Sequence, residues 1–246
     1  MSRRDVRRLV GVPVVAALAV ILAAGILAGP EFGEFHGAYG QMLNRVAVPE
    51  RHTTNVVTSI VFDYRGVDTM GEEFILFAAV VGVVLLLRDE REPGRDTRGD
   101  DVQSDGIRMF GVAMVGPVLL VGLWLAAFGL VTPGGGFQGG VVIAAAVVIV
   151  YVTVGYRQWR RFGRERLLDP FEGLAAAAYV AVGLAALVAG SAFLRNLLGN
   201  GETGTLLAGG SMSVLNWAVA IEVAAANLVL FTEFLESYVV PHIPER

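Results

Sequence analysis

Three stretches of this chain, residues 9–28, 109–131 and 173–194, each run for twenty or more positions without one Asp, Glu, Lys or Arg. A hydrocarbon core of ~30 Å takes about 20 helical residues at ~1.5 Å each, so these stretches predict membrane-spanning helices. Residues 137–156 predict a fourth span, and 214–235 a fifth that carries two glutamates, Glu222 and Glu233. Residues 74–87 make the weakest case, with only fourteen uncharged positions. Composition agrees: 54% of the 246 residues are hydrophobic and mean hydropathy is +0.61, above the soluble norm. The expected fold class is therefore all-α, a polytopic membrane protein of about six transmembrane helices.

Arginine placement predicts the orientation. All nineteen basic residues are arginine, and basic residues collect on the cytoplasmic side. With six spans and the N-terminus inside, fifteen arginines fall in cytoplasmic segments, and only Arg45, Arg51, Arg65 and Arg195 fall outside. Both termini are thus expected in the cytoplasm, in a multi-pass protein of the cell membrane. Omitting the short span would put the arginines of 157–166 on the wrong side. Arg3, Arg4, Arg7 and Arg8 ahead of the first apolar run imitate a signal peptide. That run exceeds the about 7–15 residues of a signal core, which favours an uncleaved anchor.

Residues 88–108 hold five arginines and seven acids with almost nothing aliphatic, so they read as a solvated linker. The expected organisation is a two-helix module over 1–90, a charged cytoplasmic linker over 91–105, and a four-helix module over 106–246. No internal repeat relates the two modules.

Other chemistries find no support. There is no cysteine, hence no disulfide, thiolate nucleophile or cysteine-ligated metal. A net charge of −4 without a basic stripe argues against nucleic acid. His36, His52 and His242 have no metal-ligand spacing and read as ordinary surface residues. No catalytic constellation, metal site or cofactor is expected.

Three features remain. The first is TPGGGFQGG at 132–140, in which Pro133, Gly134, Gly135, Gly136, Phe137, Gly139 and Gly140 stand between two predicted spans. It satisfies the dinucleotide fingerprint literally, but that fingerprint needs a strand before it, and no Lys-Ser/Thr follows for a phosphate loop. Proline and glycine end one helix, and the later glycines allow close backbone approach in the next. The motif is either a tight hairpin or a packing knuckle that also sets backbone groups near a cation path.

The second feature is NVVTSIVFDYRGVDTMGEE at 55–73, which places Asp63, Asp68, Glu72 and Glu73 just outside a span that is too short. The octet 55–62 can lie at the interface or re-enter the membrane. The spacing of Thr69 and Glu72 matches a capping box and predicts a helix start just before Phe74. The short span draws Glu72 and Glu73 toward the hydrocarbon boundary; the plainer reading is a solvated cluster with Asp63 paired to Arg65. The third feature is Glu222, deep in the last span, where acids are rare and face a cavity or a partner. Glu233 shares its face at eleven residues' distance, and Asn216 and Asn227 share another. Glu222 is either an ion-handling group or a protonated, hydrogen-bonded residue at a helix interface.

Residues 109–240, with the motif at 132–140, resemble the B subunit (MnhB) of Mrp-type multi-subunit Na⁺/H⁺ antiporters. In that family the proline–glycine knuckle joins two of four helices, and Leu215-Asn216-Trp217 through Glu222 looks like its final helix. Residues 55–87 resemble the C-terminal part of the large A subunit, equivalent to the small E-type subunit of membrane-bound hydrogenases. Family B subunits are four-helix proteins alone, so the fusion is a departure. The resemblance implies a non-enzymatic subunit of a Na⁺/H⁺ antiporter related to the membrane arm of respiratory complex I. Its implied partners are subunits of A, C, D, E, F and G type, with Na⁺ and H⁺ as the ions moved. Glu222, Glu72, Glu73, Asp68 and Asp63 are the candidates for the ion or proton path, Glu72 on a residue-by-residue match to the family motif. Competing readings are the equivalent subunit of a hydrogenase or related complex, a structural scaffold, or a self-sufficient channel. The chain argues against the last, with one carboxylate deep in a span and no paired broken helices.

Overall fold

The computed structural model describes residues 3–29, 33, 37–88, 104–155, 159 and 165–235. Helices are α1 (Arg3–Leu27), α2 (Ala38–Arg51), α3 (Val56–Ser59), a π-helical turn (Ile60–Tyr64), α4 (Gly66–Arg88), α5 (Asp105–Ala127), α6 (Gly136–Val154), α7 (Glu165–Val188) and α8 (Ser211–Phe234). No strand occurs among the described residues. Six of these helices are 19–25 residues long, in agreement with the expected six. Helices α4, α5, α6 and α8 are apolar enough throughout to cross a membrane, while α1 and α7 contain shorter apolar stretches, Gly11–Leu27 and Gly173–Val188. The protein is a multi-pass helical membrane protein.

The chain divides into two compact units, residues 1–41 and 42–246. The first is built on α1, whose apolar side chains are exposed from Val12 to Leu27. In the second, α8 is the central post, packed by α4, α6 and α7. It buries both apolar and polar side chains around its circumference, which a lipid-facing helix does not do.

Helix α4 corrects the sequence reading. It starts at Gly66, eight residues before Phe74, and its 23 residues extend ~34 Å, a full crossing. The Thr69 hydroxyl does not cap a helix start. It donates to the Val61 carbonyl oxygen at 2.7 Å, tying α4 to the π turn before it. Glu72 and Glu73 are therefore inside the helix. Most of the linker expected at 91–105 lies outside the described residues; at its end Ser104 caps α5 by accepting from the Ile107 N–H. His36 and His242 also lie outside them, and the His52 ring meets the Gly201 carbonyl oxygen at 2.6 Å.

The glycine motif is a three-helix joint. Gly134 and Gly135 take φ of 141° and 140°, a region costly for any residue with a Cβ, and turn the chain from α5 into α6. Gly139 and Gly122 bring α5 and α6 together, for a Cβ on Gly139 would stand 2.9 Å from the Gly122 carbonyl oxygen. On the other face, a Cβ on Gly140 would stand 2.7 Å from the Ala220 carbonyl oxygen, and one on Gly136 would collide with that of Asn216. Gly136→Val should therefore push α6 off α8 and sharply reduce the folded protein recovered in detergent. Gly116→Ala, with open space around it, should be tolerated and can gain ~0.5–1 kcal/mol. Equal recovery of the two variants would show that the close approach is dispensable.

The octet 55–62 is helical. It forms α3 and the π turn and wedges into the protein, burying Thr58, Ser59 and Phe62. Asn55 donates to the carbonyl oxygens of Gly129 (2.7 Å) and Thr132 (3.0 Å), and the Thr58 hydroxyl to Gly129 (2.7 Å). The acidic motif thus docks on the turn that leads into the glycine motif.

Candidate functional site

The site follows from the phase of α4. Gly66, Thr69, Glu73 and Val80 are buried at spacings of three, four and seven, one stripe along the helix facing α8 and α7. Glu72 is one residue, ~100°, off that stripe and is exposed. Glu222 occupies the middle of α8. Glu73 is 2% exposed and Glu222 0%, and their carboxyl groups face each other closely enough to interact. The two carboxyl groups can bond to each other through a shared proton, and neither has any other hydrogen-bond partner among the described residues. Val80, Ala226 and Val229 form an apolar cluster one to two turns beyond.

On the other side of the pair stands Tyr179 of α7, buried, its hydroxyl donating to the Gly66 carbonyl oxygen at 2.9 Å. The Thr69 hydroxyl lies beside it, and Glu73 is within its electrostatic reach. Two carboxyl groups and two hydroxyls are thus gathered in an apolar surround. An ionised carboxylate at such depth costs ~2.5–3.5 kcal/mol even on insertion scales. Each acid here needs a proton, a cation or a donor from outside the chain. Hard oxygen ligands of this kind suit protons and alkali cations rather than soft metals.

The other candidates are placed elsewhere. Asp63 does not pair with Arg65: its Oδ1 accepts from Arg51 Nε at 2.8 Å. Arg65 pairs instead with Asp68, three residues on, and both side chains are more than half exposed, so that bridge contributes little. The reason is local: the π turn carries Asp63 inward, whereas Arg65 sits at its exposed end. Arg51 also lies over the Tyr64 ring, 4.6 Å from its centre, and the Tyr64 hydroxyl donates to Glu50 Oε2 at 2.6 Å. Burial first, and then that hydrogen bond, push the Tyr64 hydroxyl up to about 12, so it remains a donor at any physiological pH.

Asn216 has a structural task. Fully buried, its Oδ1 accepts from the Gly136 N–H (2.7 Å) and its Nδ2 donates to the Ala126 carbonyl oxygen (2.7 Å), locking α5, α6 and α8 together. Asn227 shares its face but turns back on its own helix, donating to Val223. Glu233 is buried as well. Sequence reasoning missed Tyr179, a polar tip in an alanine-rich span, and Arg51, whose pairing with Asp63 twelve residues away has no local signature.

Such a bundle defines a multi-pass membrane protein whose buried polar groups include the asparagine of a three-helix joint and one acid pair. The chain belongs to the family of domains related to the MnhB subunit of Na⁺/H⁺ antiporter, whose model matches residues 107–229, half of its length. Residues 2–104 match the model of the MBH E-type subunit. Both resemblances drawn from the motifs are thereby shown. The chain is similar to one in the membrane-bound sulfane sulfur reductase, an archaeal respiratory membrane complex. Identity is 28% and TM-score 0.69, covering 94% of this chain and 98% of that one. It shares the fold of part of the Mrp complex from a Dietzia species at 22% identity and TM-score 0.68, covering all of this chain and 27% of that one. An uncharacterized protein of Methanocaldococcus jannaschii is 29% identical over 204 residues, 74% of this chain and 78% of that protein.

Proposed function

We propose that this chain is a subunit of a multi-subunit monovalent cation/proton antiporter, and that Glu73 and Glu222 form a site where a proton and Na⁺ exchange. The observation that carries the reading is the pair of buried carboxyl groups that have no hydrogen-bond partner but each other among the described residues. A fold that saturates Asn216, Asn55 and Thr58 so fully has no structural reason to bury two acids whose only partner is each other. Intramembrane acids of this kind mark ion and proton routes. The chain works beside other subunits of A, C, D, E, F and G type in the cell membrane, and performs no covalent chemistry itself.

The test is exchange by the whole complex in membrane vesicles. Glu73→Gln and Glu222→Gln preserve size and add only an amide, so each should leave the chain co-purifying with its partners while lowering Na⁺-dependent proton movement severely. Assembly with wild-type exchange from neutral to alkaline pH would make the acids structural. Glu72→Gln, on the exposed face, should have the smaller effect. A second reading has its own support: the match to the sulfane sulfur reductase spans nearly the whole of both chains. In that case the same pair would serve a redox-driven complex, and the proteins that co-purify in mild detergent decide between the two.

A further inference from the structure

We propose that the outer cleft beside α2 is the entrance to the Glu73–Glu222 site and that Leu194 is the plug that closes it, an inference that rests on the pair being the exchange site. The cleft has a volume of about 550 Å³ and is lined by Arg51, Asp63, Leu194, Arg195, Asn196 and Asn200 among others. It lies on the end of the bundle that the arginine distribution places outside. Its wall is hydrophilic, carrying the Arg51–Asp63 pair, Arg195 and the hydrogen-bonded amides of Asn196 and Asn200.

What separates it from the acids is an apolar cluster. Leu194 lines the cleft, yet is only 7% exposed and belongs to the same apolar cluster as Phe62, Tyr179, Val219 and Val223. Its Cδ1 and the Tyr179 hydroxyl both converge on Gly66, where an added Cβ would lie 3.4 Å from the first and 3.8 Å from the second. Beneath Leu194 come the Tyr179 and Thr69 hydroxyls, and beside them Glu73, which faces Glu222. The layers run cleft, leucine, hydroxyls, acids.

Leu194 is also the layer able to move. The other layers are carried on helices α4, α7 and α8, whereas Leu194 stands in the connection between α7 and α8. Its φ is +61°, a conformation that is strained for a branched side chain and persists only where the surroundings impose it. Rotation to negative φ relieves that strain and withdraws the side chain from above Tyr179.

Peptide-resolved labelling by a water-soluble carbodiimide tests the plug directly, applied to the outer face of cells carrying the full chain in its complex. Wild-type Glu73 and Glu222 should react slowly. Leu194→Ala should speed both about tenfold, the factor that ~1.4 kcal/mol off an opening barrier produces. Leu198→Ala, on the cleft wall but about half exposed, should leave the rate unchanged. Gly66→Ala, which fills the seam between Leu194 and Tyr179, should slow labelling and serves where Leu194→Ala fails to assemble. Unchanged labelling in both Leu194→Ala and Gly66→Ala overturns the proposal, as does an equal rise in Leu198→Ala. Access and exchange are separate readouts. Gated labelling with exchange unaffected by the Gln variants removes the antiport reading, and ungated labelling with exchange lost in them removes the plug alone.

Discussion

Asn216→Leu should destabilise the folded protein by ~1–3 kcal/mol, the cost of leaving the buried Gly136 N–H without an acceptor. The substitution keeps the branching and heavy-atom count of the side chain and removes both of its hydrogen bonds. The Gly136 N–H loses its acceptor, and the Ala126 carbonyl oxygen, at the end of α5, loses its short bond and keeps the longer one from the Gly129 N–H (3.4 Å). Water is not at hand to replace them, because Asn216 is 0% exposed and sits where three helices meet. Inside a membrane, backbone groups freed from a partner stay costly. Thermal unfolding of the detergent-purified complex measures this, with Asn227→Leu as the comparison. Asn227 donates only to its own helix, so its loss should cost much less. Equal midpoints for the two variants would show that Asn216 does not hold the joint.

The spans and the two motifs were legible because their signals are local. An uncharged run of twenty residues admits few structures, and proline followed by three glycines cannot continue a helix. Phase was not legible. In a soluble helix the apolar stripe marks the inner face, but α4 is apolar toward lipid and protein alike, so Glu72 and Glu73 looked equivalent. Gly66, Thr69 and Glu73 do form a stripe of small and polar residues, the one clue to the inner face, but it is visible only when α4 is known to begin at Gly66. That start was hidden because α4 is not capped by its own side chains: the π turn hands the chain over, and Thr69 reaches back to Val61. The partner of Asp63 was hidden for a different reason. Arg65, two residues on, is nearer in sequence, but the turn sends the two side chains in different directions, and Arg51 arrives from another helix.

The same distinction explains why the two motifs were recognisable separately and not as one construction. Asn55 and Thr58 end in amide and hydroxyl groups that suit many turns. Only the fold shows them spent on the carbonyl groups of 129–132, immediately before Pro133. The acidic segment is thereby anchored to the glycine joint, and α4 is delivered against α8 with Glu73 turned inward.

Glu73 and Glu222 should respond to leucine in the opposite sense to Asn216. Their carboxyl groups bond to nothing among the described residues but each other, and burying a poorly compensated polar group costs ~1–3 kcal/mol by protein mutational data. Glu73→Leu and Glu222→Leu should therefore raise the unfolding midpoint of the detergent-purified complex, or at least not lower it, while abolishing Na⁺-dependent proton movement. The double variant should gain less than the two single gains added, because each single change already relieves part of the repulsion within the pair. Function would then be held at the expense of stability, as expected where an active site needs groups that the fold would rather exclude. A loss of ~2 kcal/mol or more in either single variant would mean that the acids satisfy one another in the membrane. The scaffold reading would then replace the exchange site.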